Sequence, residues 1–217
     1  NIIPDGYKCI NINIIYNVKH DGRHKAQLVA GGHLTDAPLE SVYSGVVSLR
    51  GLRIFLLVAK LNNLDIWATD ITSAYLEAYT KEKVCIKAGP EFGEQEGHIL
   101  LISKALYGLK SSCARWHDRL ADCLREESFE ACKAEPDIWY RKNGEQYEYI
   151  AVYVDDLALA LRNPQEFIDI LQTKHHFHMK GTGPLKFHLG ADFYHDTDNI
   201  LCMGPKKYIE RLIGAYE

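Results

Sequence analysis

Apolar and polar positions alternate at the start of the chain. Ile10, Ile12 and Ile14 are interleaved with Asn11 and Asn13, which is the period of a half-buried strand. Asp21-Gly22 predicts a hairpin turn, with residues 24–30 as its returning strand. The period then lengthens: Leu49, Leu52, Phe55, Leu56 and Ala59 fall at helical spacing behind Ser48. A Ser there can cap orphan amides, so a helix is predicted from Ser48 through Asn62. Residues 65–69 read as a short strand ending at Asp70, followed by a turn and a short helical stretch to Leu76.

Residues 98–102 read as a further strand. Ser112 is placed to cap a helix running to about Glu127, whose core side is Ala114, Leu120, Ala121 and Leu124. Residues 138–141 and 147–154 flank Asn143-Gly144, a second hairpin signal. The apolar run resumes at Leu157, so Asp155-Asp156 lie at or beside a tight turn. Pro164 stands where a helix favours proline, at the opening of a segment to about His176. Residues 185–193 and 200–203 suggest a third hairpin turning at Asp198-Asn199, and Pro205 opens a last helix. Hairpins thus alternate with helices, and the class is α+β with an antiparallel sheet. There are no repeats, low-complexity tracts or Gly/Ser linkers.

Composition narrows the setting. The 217 residues are 47% hydrophobic and 25% charged, enough for one large or two small cores. No apolar run approaches the roughly 20 residues of a membrane span, so no membrane partner is expected. Nothing at the amino terminus resembles a secretion signal, and without an initiator Met the chain reads as a piece of a longer polypeptide. Six scattered cysteines contain no C-x-x-C pair, which points away from zinc and disulfide frameworks and toward a reducing interior. A net charge of −4 argues against a wholly nucleic-acid-tracking surface. The charge is uneven, however. Lys104, Lys110, Arg115 and Arg119 form a basic stripe, and an acidic stretch follows from Asp122 to Asp137.

The chemistry sits where acids interrupt apolar strands. Asp155 and Asp156 break the run 149–159, and Asp70 closes the apolar segment 64–69. A buried unpaired carboxylate is costly, so such a pair calls for water or a cation. A solvated hairpin tip is the alternative for the pair alone. Two strand ends side by side would bring Asp70 to Asp155, and three carboxylates suit Mg²⁺. Two such ions roughly 3.5–4 Å apart stabilise both oxygens of an in-line phosphoryl transfer. The stretch ALYGLKSSCARW, residues 105–116, adds Gly108 after an aromatic residue, with Lys110 and Arg115 beside it. Taken alone, it equally describes an ordinary strand, turn and helix.

Taken in order, VKHDGRHKAQLVAGG (18–32), DITSAYL (70–76), ALYGLKSSCARW (105–116), YVDD (153–156) and LKFHLG (185–190) resemble the successive blocks of copia-type LTR retrotransposon reverse transcriptases. Lys206-Lys207-Tyr208-Ile209 resembles the opening of the thumb. The likeness covers nearly the whole chain. It implies a right-hand polymerase fold, with a ferredoxin-like antiparallel palm and fingers. Residues 1–69 would be mainly fingers, 70–195 mainly palm with an intervening fingers segment, and 196–217 the end of the palm and the start of the thumb.

The resemblance implies RNA-directed DNA synthesis with two Mg²⁺ ions per site, for which Mn²⁺ can substitute. Asp70, Asp155 and Asp156 would be the catalytic carboxylates, with Ile71 beside the metal through its backbone. Tyr75 would be the steric gate against a 2′-hydroxyl. Tyr107, Gly108 and Lys110 would meet the nucleotide and template, Lys25 the triphosphate, and Leu189-Gly190 the primer. Partners would be RNA or DNA template-primer, dNTPs, and integrase and RNase H segments of one polyprotein. The setting would be an intracellular, cytoplasmic virus-like particle.

The chain departs from the family at Gln27 and Gly31, where arginines are usual, at Ser111 in place of Gln and at Cys113 in place of Pro or Gly. An impaired copy that still binds nucleic acid therefore stands beside the active polymerase. A nucleotide cyclase with a similar palm is disfavoured by the YGLK segment. His175, His176 and His178 are read as solvated or helix-end residues, and His20 and His24 likewise. Trp67, Trp116 and Trp139 are read as core.

Overall fold

The computed structural model describes residues 2–18, 22–38 and 41–216. The strands and helices in its first half are β1 (Lys8–Cys9), β2 (Ile12–Val18), β3 (His24–Ala30), α1 (Leu49–Leu61), β4 (Asp65–Ile71), β5 (Val84–Lys87), β6 (Ile99–Leu101) and α2 (Ser112–Glu126). Then come β7 (Glu130–Ala131), β8 (Ile138–Asn143), β9 (Gln146–Tyr153), β10 (Asp156–Leu161) and α3 (Pro164–Thr173). The chain ends with β11 (Met179–Pro184), β12 (Phe187–His188), β13 (Ala191–His195), β14 (Leu201–Gly204) and α4 (Lys206–Tyr216). The mixed α+β class expected from the pattern is present. Two compact units form: Asn1–Ser44 with Ser73–Asp122, and Gly45–Thr72 with Cys123–Glu217.

In the first unit β2 and β3 pair antiparallel from Ile12 opposite Ala30 to Val18 opposite His24. Of the expected turn, Asp21 lies outside the described residues. A separate sheet in the order β1-β5-β6 joins β1 to β5 in parallel, a pairing that no local pattern announces. Ile10, Ala30, Val84, Ile86 and Leu109 bury one another beneath these strands.

Gly32 and Gly108 let two backbones meet in this unit. A Cβ on Gly108 would run into the Ala30 carbonyl, and one on Gly32 would run into the Gly108 carbonyl. The Ala30 amide donates to the Tyr107 carbonyl at 2.7 Å across the same approach. Ser112 is the first helical residue of α2 rather than its cap, and its hydroxyl donates to the Leu106 carbonyl at 2.7 Å.

The second unit holds a wholly antiparallel sheet in the order β11-β4-β10-β9-β8-β7. β10 runs through its middle, and Leu157–Leu161 are fully buried. Its two faces differ. Ala158 and Ala160 lie in one cluster with Leu52, Phe55, Leu56 and Ala59 of α1, the small side chains giving the helix room. Leu157, Leu159 and Leu161 bury the other face, where α3 lies against β10 and β4.

The expected cap of α1 is present, since the Ser48 hydroxyl accepts from the Gly51 amide at 3.0 Å. α3 stops at Thr173, short of the expected His176, and His176 itself has φ 60°. A smaller sheet in the order β12-β13-β14 closes the unit.

Candidate active site

Two strand ends and one turn gather the carboxylates. Asp70 is the penultimate residue of β4, and Asp156 is the first residue of β10. The antiparallel register sets Asp156 opposite Asp70, and Asp156 also pairs with Tyr153 of β9. Val154 and Asp155 therefore form the tip of a tight turn. The Ile71 amide donates to the Asp155 carbonyl at 2.8 Å, stitching that tip to β4 just after Asp70. Asp70, Ile71, Asp155 and Asp156 are thus brought together, with Ile71 itself fully buried.

The turn carries strain. Val154 has φ 57°, in the left-handed region that β-branched side chains tolerate poorly. Such conformations persist only where the surroundings enforce them. Here the paired β9 and β10 and the Ile71 bond supply that enforcement.

The electrostatics are those of crowded like charges. Burial, then the charges of Asp155 and Asp70, push the Asp156 carboxyl up to about 6, and Lys180 partly opposes them. Lys180 faces Asp70 in register from β11, with its Nζ 2.6 Å from Asp70 Oδ1. That oxygen is buried and accepts no well-oriented hydrogen bond, so the contact is a charge pairing. Next to it, the Thr69 and Thr182 hydroxyls meet at 2.7 Å and hold β4 against β11.

Among the described residues no three His, Cys, Asp or Glu side chains close into a metal cage. The donors nonetheless fit a hard divalent ion. They are oxygens only, burial and then mutual repulsion raise one of them toward neutral pH, and Asp70 already draws in a cation.

The remaining expected site residues fall in two places. Tyr75 and Tyr107, both in the first unit, meet at 4.5 Å between ring centroids with a 40° tilt. The Tyr75 hydroxyl meets Cys113 Sγ at 2.8 Å. Gly108 has φ 93° and is occupied with the backbone of Ala30. Lys110 donates to the Thr35 carbonyl. Lys25 is exposed on β3, and Gln27, two residues on, shares its face.

In the second unit Leu189 (φ 50°) and Gly190 (φ 80°) form a two-residue turn between β12 and β13, and His188 pairs with Ala191 across it. Both positive φ values mark the turn type that suits a hairpin's twist.

Three features of the site region escaped the sequence reading. Lys180 follows no pattern that would aim it at Asp70. The strain at Val154 leaves no compositional trace. His188 was read only as part of a strand, yet it is buried with its Nε2 unpartnered, and burial pushes its pKa down to about 4. Of the histidines expected to be solvated or at a helix end, His175 stands just past the end of α3 and is not solvated. His175 is buried, with Nε2 2.7 Å from Glu127 Oε1, because the chain turns inward between Thr173 and Phe177. Trp116 and Trp139 are core as expected, while Trp67 is only half-buried.

A family model described as "Reverse transcriptase (RNA-dependent DNA polymerase)" matches residues 2–217. Over 162 residues the chain is 33% identical to the Transposon Ty1-DR4 Gag-Pol polyprotein of Saccharomyces cerevisiae, covering 73% of this chain and 10% of that protein. Over 226 residues it is 23% identical to the Retrovirus-related Pol polyprotein from transposon TNT 1-94 of Nicotiana tabacum, covering 99% of this chain and 17% of that protein. The chain thus spans less than a fifth of the length of these curated relatives. No described helix is long and apolar enough to cross a membrane.

Proposed function

The chain belongs to the reverse transcriptase family, in its copia-type retrotransposon branch, and from that premise we propose that it extends a primer 3′-hydroxyl with dNTPs on an RNA or DNA template. The observation that carries the proposal is the pairing of Asp70 with Asp156 beside the Asp155 turn. In this reading the second unit is the palm and the first supplies fingers. Asp70, Asp155 and Asp156 would hold two Mg²⁺ ions, with the Ile71 backbone alongside. Bound there, the ions would supply Lewis acidity to the attacking and leaving oxygens.

The chain's own groups do the rest. Tyr75 stands at the sugar and excludes a 2′-hydroxyl. Tyr107 and Gly108 border the nucleotide and template base, and Lys110 and Lys25 bring positive charge to the triphosphate. The rigid Leu189-Gly190 turn presents the primer end. The strained Val154 holds Asp155 in one geometry, so less reorganisation is left to the reaction itself. The setting proposed is a virus-like particle, with integrase and RNase H segments in the same polyprotein.

Primer extension on poly(rA)·oligo(dT) with Mg²⁺ or Mn²⁺, beside Asp155→Asn, tests this. Extension lost in the variant and abolished by chelator is expected. Extension that survives both would overturn the metal mechanism. A second reading, of a template-binding copy with impaired catalysis, draws on one observation. Gln27 stands on the Lys25 face of β3 and cannot make the bidentate charged contact an arginine gives. No extension with template still bound, and recovery in Gln27→Arg, would select it.

A further inference from the structure

Tyr75 is a long side chain on a short support. It belongs to a single 3-10 turn, Ala74–Glu77, entered through Ser73 in a left-handed conformation (φ 55°). So short a turn fixes Cα positions and leaves the placement of the ring to its side-chain contacts. Two of its contacts bear directly on the ring and its hydroxyl. Tyr107 lies across the ring face at 4.5 Å, and Cys113 Sγ meets the hydroxyl at 2.8 Å. A tilted aromatic neighbour bears on the ring face without a directional bond, whereas a bond to the hydroxyl acts at the tip of the lever.

Cys113 is well placed to act as that fixed point. It is the second residue of α2, and both serines before it are buried and tied down. The Ser112 hydroxyl bonds the Leu106 carbonyl at 2.7 Å, and the Ser111 amide and hydroxyl bond Glu82 Oε1 at 3.0 and 2.6 Å. The thiol therefore projects from a firmly anchored first turn of its helix. A thiol can donate to or accept from a phenol, so the contact forms with either orientation of the hydroxyl.

We propose that Cys113 is a positioning residue for Tyr75 and sets how strictly the site separates deoxyribonucleotides from ribonucleotides. This rests on the reading of Tyr75 as the group that meets the incoming sugar. Cys113 touches no substrate. It acts by keeping the ring where a 2′-hydroxyl would collide with it. With this tie removed the ring is held less firmly, and a ribonucleotide gains more than a deoxyribonucleotide loses.

The test compares kcat/KM for dTTP and UTP on poly(rA)·oligo(dT) in the wild-type chain and in Cys113→Ala, Cys113→Ser, Tyr75→Phe, Tyr75→Val and the Tyr75→Phe/Cys113→Ala pair. Cys113→Ala and Tyr75→Phe should each lower the dTTP-over-UTP ratio about five-fold, mainly through a lower KM for UTP. The double variant should be no worse than either single one, because both remove the same bond. Cys113→Ser, which keeps a hydrogen-bonding atom, should retain the ratio.

Independent, multiplying effects of the two single substitutions would overturn the proposal, as would a wild-type ratio in Cys113→Ala. If Tyr75→Val leaves the ratio unchanged, the sugar-gate reading itself fails, which is a distinct outcome. A measurement free of turnover accompanies these: urea unfolding of the metal-free wild type, the two single variants and the pair. Additive midpoint shifts would show that the hydroxyl and thiol are uncoupled and would overturn the proposal even for a chain without polymerase activity.

Discussion

Asp70 and Asp156 are direct cross-strand partners, placed opposite each other by the register of β4 and β10. Opposed like charges in an antiparallel pair destabilise it. Burial and the two neighbouring carboxylates accordingly raise the Asp156 carboxyl to about 6. The arrangement weakens the metal-free fold in order to hold charge at one point. Asp156→Asn should therefore strengthen the metal-free chain by about 1–2 kcal/mol at pH 7, a figure reduced for the site's partial exposure. Its primer extension should fall at least about 100-fold. Urea unfolding in chelator checks the first effect; a variant no more stable than wild type would remove the repulsion from the explanation.

Between about pH 6.5 and pH 5, above the range where the carboxylates with lowered pKa titrate, His188 and Asp156 should oppose each other and leave the wild-type stability nearly flat. His188 has a folded pKa of about 4, below its ordinary 6.5, because it is buried. The unfolded chain thus binds that proton first, and stability is lost as pH falls from 6.5 to 4, by about 3 kcal/mol. Asp156 has a folded value of about 6, above its ordinary 3.8, so the folded chain takes up that proton first. Stability is regained over nearly the same window, by about 2 kcal/mol after allowance for exposure. His188→Leu should unmask the Asp156 gain and make the metal-free chain more stable at pH 5 than at pH 7. Asp156→Asn should unmask the His188 loss. Denaturation midpoints across that range decide it, and identical profiles in the two variants would refute the opposition.

Local signals in the sequence carried the regular elements. The helical spacing behind Ser48 and the apolar run on both sides of Asp155-Asp156 place α1, β9 and β10 within a residue or two. These were legible because periodicity and capping are properties of neighbours along the chain. Register is not. Nothing in MKGTGP states that its lysine will sit opposite Asp70, since β11 meets β4 through a bulge between Lys180 and Gly183. The parallel pairing of β1 with β5 depends on residues far apart in sequence and was likewise invisible. Residues 185–193 read as one strand because Leu189 is apolar, yet it adopts φ 50° and turns the chain. Similarly, the thiol of Cys113 appeared as a departure from a pattern, and only the fold supplies Tyr75 as its partner.

Gly108 separates a structural from a catalytic demand. Its φ of 93° and the Ala30 carbonyl against its open face both exclude a side chain. Gly108→Ala should destabilise the chain by about 3 kcal/mol or more, through strain and overlap together. Gly93 has φ 55° with nothing nearby, so Gly93→Ala should cost only the backbone strain, about 2 kcal/mol. Thermal unfolding of the two variants tests the contrast. Comparable losses would mean that backbone conformation alone, and not the approach of β3, fixes Gly108.

Lys180 is a cation already resident beside the carboxylates, 2.6 Å from Asp70 Oδ1. A divalent ion held as proposed would compete with its Nζ for the same oxygen, yet in the metal-free chain the positive charge partly offsets the three acids. The two roles have opposite consequences for substitution. Lys180→Gln should lower metal-free stability by no more than about 1 kcal/mol, because about half the lysine side chain is exposed and water screens the pair. The same change should tighten divalent-ion binding several-fold, since a like charge no longer stands at the site. Titration of Mn²⁺ into the purified chain, followed by calorimetry, reads the affinity without turnover. Weaker binding in the variant would mean that Lys180 holds Asp70 in its metal-receiving geometry, and that orientation outweighs competition.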